Sequence, residues 1–317
     1  MGTLREGDGQ GAFATGAVGV SLGYHLAGEA DVADEEKLQH PGRTFQEMTT
    51  YDRVSMEEAE VVPDWRSMPP HYKFYSYAPV ISLPSPALRE GEECSPDFLT
   101  IVGRRRTVRS FGAIPLTLLE LSRLLWASAG VTASFITPQG QDFFRATPTT
   151  GTLYPIETYV VVNKVEGLEP GLYHYRVAGL DMLERPIAEG SHSLELLRAG
   201  DLRAEISAAA MDQGLCGKAG ATFVYTAVFA RSEWKYRERS YRYFYLDAGH
   251  MAAQLSLAAV AQGLGTCQIA AFYDKELDAL VGVDGETEAS LYLTAVGRPS
   301  RAVHSGADPR HTARPKE

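Results

Sequence analysis

The stretch that most constrains this chain is residues 247–262, rich in alanine, almost uncharged and stopped by Gly263. Its length and composition predict a helix. A helix that is apolar all round must be buried, in a core or against another subunit. Residues 247–262 carry too few polar side chains for a surface helix, so burial against a second copy of the chain is the natural expectation.

The other elements must enclose that helix. Residues 157–165 form a Val-rich run, 167–171 a turn, and 172–177 a second run of alternating polarity, which together predict a β-hairpin. Residues 223–230 and 291–296 predict two further strands, the latter followed by Gly297, Arg298 and Pro299. One helix is expected to start at a Ser95 cap, with Pro96 in its first turn and Phe98, Leu99, Ile101 and Val102 along it. Another starts at Thr117, where Glu120 completes a capping box ahead of Leu121, Leu124 and Leu125, and stops at Gly130. Helices and hairpins without a βαβ rhythm predict an α+β domain. Four segments follow: a flexible tail over 1–23, an accessory arm over 24–94, the regular domain over 95–300 and a disordered tail over 301–317. Within the proline-rich arm, His71, Tyr72, Lys73, Phe74 and Tyr75 are the expected docking stretch.

Composition removes several classes of function. The formal charge of −10 argues against nucleic acid or anionic lipid as partner. The Gly- and Ala-rich stretch 11–23 is too short to span a bilayer, and it lacks the basic residues of a signal peptide. Three scattered cysteines (Cys94, Cys216 and Cys267) form no metal-binding pattern, so no metal is expected and the cytoplasm is the expected compartment.

Against that acidic background, Arg104, Arg105, Arg106 and Arg109 fall within six residues, with Thr107 between them. Guanidinium groups bind phosphate bidentately and a hydroxyl adds a donor, although a solvated charged patch gives the same pattern. A second segment runs from Arg145 through Thr147, Pro148, Thr149, Thr150, Gly151, Thr152 and Leu153 to Tyr154 and Pro155. Its small residues and hydroxyls let backbone approach the edge of a planar ligand, or simply close a turn. A third holds Lys235 and Tyr236 among Arg231, Arg237 and Arg239. Lysine and tyrosine serve as acid or base, and nearby cations favour their deprotonated forms. An aromatic–arginine stack is the structural alternative. The segment from Gly263 to Phe272 has two glycines of a dinucleotide fingerprint but lacks the third and follows a helix, which excludes Rossmann binding. Cys267 and His250 are expected to be packing residues.

In this order, the segments resemble the FMN-dependent nitroreductase superfamily, and within it the SagB-type dehydrogenases that oxidise azolines in ribosomally made peptides. The matching residues are Arg105 to Phe111, Thr147 to Pro155, Lys235-Tyr236 ahead of the long helix, Gly263 to Phe272, and Val296 to Pro299. Thr149 stands where that group often has serine. Ala270-Ala271 stand where many plain nitroreductases have Glu-Gly.

The resemblance implies an α/β/α sandwich with a mostly antiparallel central sheet, an obligate homodimer through the long helix, and FMN at the subunit interface. It implies that Arg105, Arg106, Thr107 and Arg109 hold the FMN phosphate, with Arg298 assisting. Arg145 and residues 148–154 (Pro148, Thr149, Thr150, Gly151, Thr152, Leu153, Tyr154) line the flavin, Ala270 and Ala271 present backbone to it, and Lys235 or Tyr236 is the catalytic base. The implied partners are a precursor peptide and a cyclodehydratase complex. Two other activities are compatible with the same residues: another flavin oxidoreductase, acting on a nitro compound, a quinone or another peptide, and a flavin-poor scaffold that binds peptide.

Overall fold

The computed structural model describes residues 40–51, 53, 63–87, 96–137, 140–180, 186–187 and 192–300. The tails, much of the arm, Cys94 and the expected Ser95 cap lie outside the described residues. The chain divides into two units, Met1–Thr50 and Tyr51–Glu317. In the first, helix α1 (Pro41–Met48) opens with proline at its first turn, where the missing N–H costs nothing.

The second unit is built on one antiparallel sheet of seven strands, in the order β1-β8-β5-β4-β9-β11-β10. Its central strands are β4 (Ile156–Val162) and β9 (Ala221–Val228), both buried nearly throughout. Strands buried on both faces read as continuous apolar runs, and Tyr159, Val160, Val161 and Val162 make such a run within β4. Alternation then divides the side chains between two layers. Val160, Val162, Phe223 and Tyr225 share one core with helices α3 (Leu118–Ala129) and α7 (Ser240–Ala261). Tyr159, Val161, Val224 and Leu293 share the other with α4 (Arg203–Ala209), α5 (Leu215–Lys218) and α8 (Asp274–Val281). The result is the expected α+β sandwich.

The remaining sheet strands are β5 (Gly171–Arg176), β8 (Ser193–Ala199), β10 (Gly265–Ile269), β11 (Glu288–Gly297) and the edge strand β1 (Val80–Ser82). The expected β4–β5 hairpin forms with Tyr159 opposite His174. Strand β9 ends before Ala230, which already opens helix α6 (Ala230–Tyr236). The predicted 223–230 strand is thus shifted two residues toward the N-terminus. A separate hairpin of β2 (Val131–Thr137) and β3 (Gly140–Arg145) was not anticipated, nor was the small pair β6 (Gly179–Leu180) and β7 (Pro186–Ile187). In sequence, Pro138 and Gly140 mark the turn between β-branched residues of β2 and the Phe143-Phe144 pair of β3.

Two helix ends follow simple capping chemistry. Thr117 and Glu120 form the expected reciprocal box, with Glu120 N donating to Thr117 Oγ1 at 3.1 Å and Thr117 N to Glu120 Oε2 at 2.8 Å. Helix α2 (Phe98–Arg104) starts later than predicted, because Asp97 is the cap and accepts from Thr100 N at 3.1 Å. An aspartate caps as well as a serine, and sequence alone did not rank the two.

The helix predicted over 247–262 begins seven residues earlier, at Ser240. It is also amphipathic in position if not in composition. Phe244, Ala248, Met251, Leu255 and Ala259 are buried against the sheet, whereas Tyr245 and Leu246 are 60% and 56% exposed. His250 lies on the outer face as well, so it is not a core packing residue.

The arm docks through the predicted stretch. His71 Nδ1 and Tyr72 Oη both bond Asp142, at 3.0 and 2.8 Å. Lys73 Nζ pairs with Glu288 at 2.5 Å and donates to Tyr159 Oη at 2.8 Å. The arm's β1 then pairs with β8, placing Ile81 opposite Leu194.

Candidate functional site

Residues 148–154 form a turn held in an unusual backbone. Gly151, Thr152 and Tyr154 have φ of 66°, 59° and 46°. Left-handed backbone at β-branched Thr152 and bulky Tyr154 costs ~1–3 kcal/mol each and persists only where the surroundings over-determine it. The holders are visible. Thr149 Oγ1 donates to Asp247 Oδ2 at 2.5 Å, and Thr150 N reaches the same carboxylate at 3.3 Å. Tyr154 Oη accepts from Arg145 N at 3.1 Å, and Tyr154 O accepts from Arg231 Nη1 at 3.0 Å.

The turn faces a small cleft between α3 and α7, lined by Ser128, Arg145, Pro148, Tyr154, Asp247 and Met251. Arg145 lies over the Tyr154 ring at 4.4 Å, and its Nη2 donates to His71 O of the arm at 3.2 Å. Its Nε is buried without a described partner. Asp247 was not anticipated as a site residue. Burial raises its carboxyl above the usual range, against the Thr149 and Thr150 bonds that lower it. The only sequence signal was a lone acid in an otherwise uncharged run.

Across the turn stands the Lys235–Tyr236 pair, at the end of α6. A β-carbon at Gly151 would collide with the Tyr236 hydroxyl, so the tyrosine tip lies directly on the turn's glycine. Lys235 Nζ is 5.2 Å from the Tyr236 ring centre. The structure therefore brings the second and third sequence segments together. Arg231, also in α6, turns inward: it is 2% exposed and ion-pairs with Glu157 at 2.6 Å.

The arginine segment lies at another station. Thr107 bridges Thr266 in parallel, Val108 N donates to Thr266 O at 2.8 Å, and Phe111 bridges Pro299. Arg105, Thr107, Arg109 and Arg298 thus come from two chain segments that lie beside β10 and the end of β11. Arg105 is half-buried, while Arg106, Thr107 and Arg109 are exposed. No described carboxylate pairs with Arg105 or Arg109. Arg106 turns back, donating to Gly103 O at 3.0 Å and Arg105 O at 2.7 Å. Arg298 is engaged by Glu120 at 2.8 Å, with its Nε buried and unpartnered among the described residues.

Helix α7 links the stations. Gln254 Nε2 donates to Ala146 O at 3.1 Å near the turn, while Ser256 Oγ contacts Thr266 Oγ1 at 3.2 Å near the arginines. Asp247 to Ser256 is nine residues, ~14 Å along a helix axis. Ala270 and Ala271 are exposed just after β10, and Ala271 O accepts from Gln213 Nε2 at 3.1 Å. Cys216 and Cys267 are buried free thiols, and burial pushes the Cys216 thiol up to about 12. Neither is poised as a nucleophile.

The chain is thus an antiparallel α+β sandwich with a cleft beside the 148–154 turn and, beside β10, the guanidinium groups of Arg105 and Arg109, which meet no described carboxylate. The nitroreductase family model matches residues 102–298, and the chain belongs to the nitroreductase family. The protein MJ1384 of Methanocaldococcus jannaschii, named as a nitroreductase, is 34% identical over 195 residues, covering 62% of this chain and 87% of its own. Trifolitoxin-processing protein TfxB of Rhizobium leguminosarum bv. trifolii is 32% identical over 50% of this chain and 41% of its own length. Microcin B17-processing protein McbC of Escherichia coli is 26% identical over 52% of this chain and 58% of its own. The chain thus spans about half the length of those two processing proteins. Among solved structures, one from Anabaena variabilis, titled as a nitroreductase, superposes with a TM-score of 0.63 at 27% identity, covering 80% of this chain and 45% of that one. No helix among the described residues is long and apolar enough to cross a membrane.

Proposed function

We propose that the protein is an FMN-dependent dehydrogenase that oxidises azolines to azoles in a ribosomally made peptide. The observation that carries this reading is the seating of the Tyr236 hydroxyl on Gly151. It sets a proton-handling pair against the turn that would line the flavin. Relatives named for processing trifolitoxin and microcin B17 support a peptide substrate.

The residues fit an FMN-like group. Arg105 and Arg109, unpaired among the described residues, the Thr107 hydroxyl and the orphaned Nε of Arg298 suit its phosphate, with Arg106 contributing backbone. Pro148, Thr150, Gly151, Leu153 and the orphaned Nε of Arg145 suit its polar-edged ring, with Ala270 and Ala271 offering backbone. Thr149 acts indirectly, since its hydroxyl is committed to Asp247. When bound, the flavin supplies two-electron acceptor chemistry that no side chain here has. The protein's part is to orient the azoline, exclude water and take the substrate Cα proton on Lys235 or Tyr236. The exposed outer face of α7, with Tyr245 and Leu246, is where a second copy would pack in a homodimer. A cyclodehydratase complex would supply the azoline peptide, and the cytoplasm is the proposed compartment.

The test is Lys235→Ala. It should keep bound yellow flavin and lose azole formation, seen as absence of the ~2 Da loss that any dehydrogenation gives. Full turnover in that variant removes the assigned base. The greater identity to MJ1384 favours a second reading, a flavin oxidoreductase for nitro compounds or quinones. Rapid NAD(P)H oxidation coupled to nitroarene reduction, with azoline peptide untouched, would select it.

A further inference from the structure

We propose that Arg231 is the positioning residue of this site, tying the strained turn and the Lys235–Tyr236 helix to the N-terminal arm. The proposal rests on the reading of Lys235 and Tyr236 as the proton-handling pair.

Three nitrogens of one guanidinium reach three different segments. Nε donates to Pro70 O of the arm at 2.9 Å. Nη1 donates to Tyr154 O, at the left-handed end of the turn, at 3.0 Å. Nη2 ion-pairs with Glu157 Oε1 of β4 at 2.6 Å. Arg231 itself lies in the first turn of α6, four residues before Lys235, so the two side chains share a helix face. Fixing Arg231 fixes where that face presents Lys235.

The anchor behind Arg231 is a closed circuit. Glu157 Oε2 bonds His174 Nε2 at 3.0 Å, and His174 Nδ1 bonds Glu195 Oε2 at 2.8 Å. Glu195 Oε1 in turn accepts from Tyr75 N at 3.2 Å. The path leaves the arm at Pro70 and returns to it at Tyr75, through β4, β5 and β8. Every side chain in the path is buried. Arginine is the residue that can do this. Its planar fork offers five donors in fixed directions, whereas lysine offers three donors around one point. A salt bridge serving stability alone would require only the Glu157 contact. The bonds to Pro70 O and Tyr154 O add nothing to charge pairing, and they are the ones that join arm, turn and helix.

The decisive variant is Arg231→Lys in the full chain loaded with FMN. Amide hydrogen exchange should accelerate at least about tenfold in residues 150–155 and 230–237, while residues 290–297 of β11 stay protected. Turnover should fall at least about tenfold in kcat with KM within about twofold, because binding groups remain while the base is misplaced. Unchanged exchange in either segment overturns the proposal. So does acceleration spread equally over the whole sheet, which marks a purely structural role. If Arg231→Lys does not fold, Arg231→Met with Glu157→Gln removes both buried charges together, and the same exchange pattern is read from it. Wild-type protein that turns over neither azoline peptide nor nitroarene sinks the functional reading, while the exchange comparison still decides the tie.

Discussion

Arg109 and Arg231 are the same residue type in the same acidic chain, yet they stand in opposite surroundings. Arg109 is exposed, in a segment where no described carboxylate meets it. Arg231 is buried, with a carboxylate and two carbonyls on its three nitrogens. A buried guanidinium must have its charge matched, because the interior does not solvate it. An exposed one has no such demand and stays available to an arriving anion. The arginines conspicuous in sequence are here the more exposed ones, and the arginine hidden among aromatic neighbours is the one the fold pairs.

That contrast can be broken most forcefully at Glu157. Glu157→Leu strands Arg231 in the core and should cost about 3–5 kcal/mol, seen as a lower urea midpoint. An unchanged midpoint would mean that the buried circuit carries no stability.

Next, Arg105→Ala with Arg109→Ala should leave the unfolding midpoint nearly unchanged while weakening FMN binding by about 2–4 kcal/mol, roughly 30- to 1,000-fold. Flavin titration at two salt concentrations checks it, since lost phosphate contacts also flatten the salt dependence.

A third effect is the pH dependence of the buried circuit. Burial opposes charge on His174, but bonds to Glu157 and Glu195 prevail and raise its pKa above the ordinary 6.5. Its contribution is complete below 6.5 and is lost as pH rises through the folded value. Burial likewise raises Glu157, but Arg231 and His174 prevail and hold it at about 2, below the ordinary 4.5. Its contribution is complete above 4.5 and is lost as pH falls toward 2. Both are fully present between 4.5 and 6.5, so Tm should be highest there. His174→Gln should flatten the alkaline limb of the Tm profile.

The smallest effect sharpens the rim itself. Arg106 folds its guanidinium back onto Gly103 O and Arg105 O. Arg106→Ala should change stability and FMN affinity by no more than about 0.5 kcal/mol, against the larger loss at Arg105 and Arg109. A loss equal to theirs would place Arg106 on the ligand.

Much of the frame was legible because its signals are local. Thr117 and Glu120 cap a helix through contacts three residues apart, and the β4–β5 hairpin joins neighbouring runs. The docking stretch 71–75 showed itself by polar aromatics in a proline-rich arm. The β2–β3 hairpin was hidden, as were Asp247 and the inward turn of Arg231. Asp247 matters because Thr149, ninety-eight positions away, bonds it. The face of α7 that meets the sheet was likewise undecidable, since alanine looks alike on both sides of a helix.

Sequence by itself determined the β4–β5 hairpin, the Thr117 cap and the acidic charge balance with its cationic segment. These follow from spacing along the backbone, where neighbours interact whatever the rest of the chain does. Tertiary structure alone decided that Tyr236 rests on Gly151, and that Arg231 turns inward to bond Tyr154 O and Pro70 O. Burial assigns each charge a partner by distance in space, and that distance is set only once the strands and the 70–75 segment have packed together.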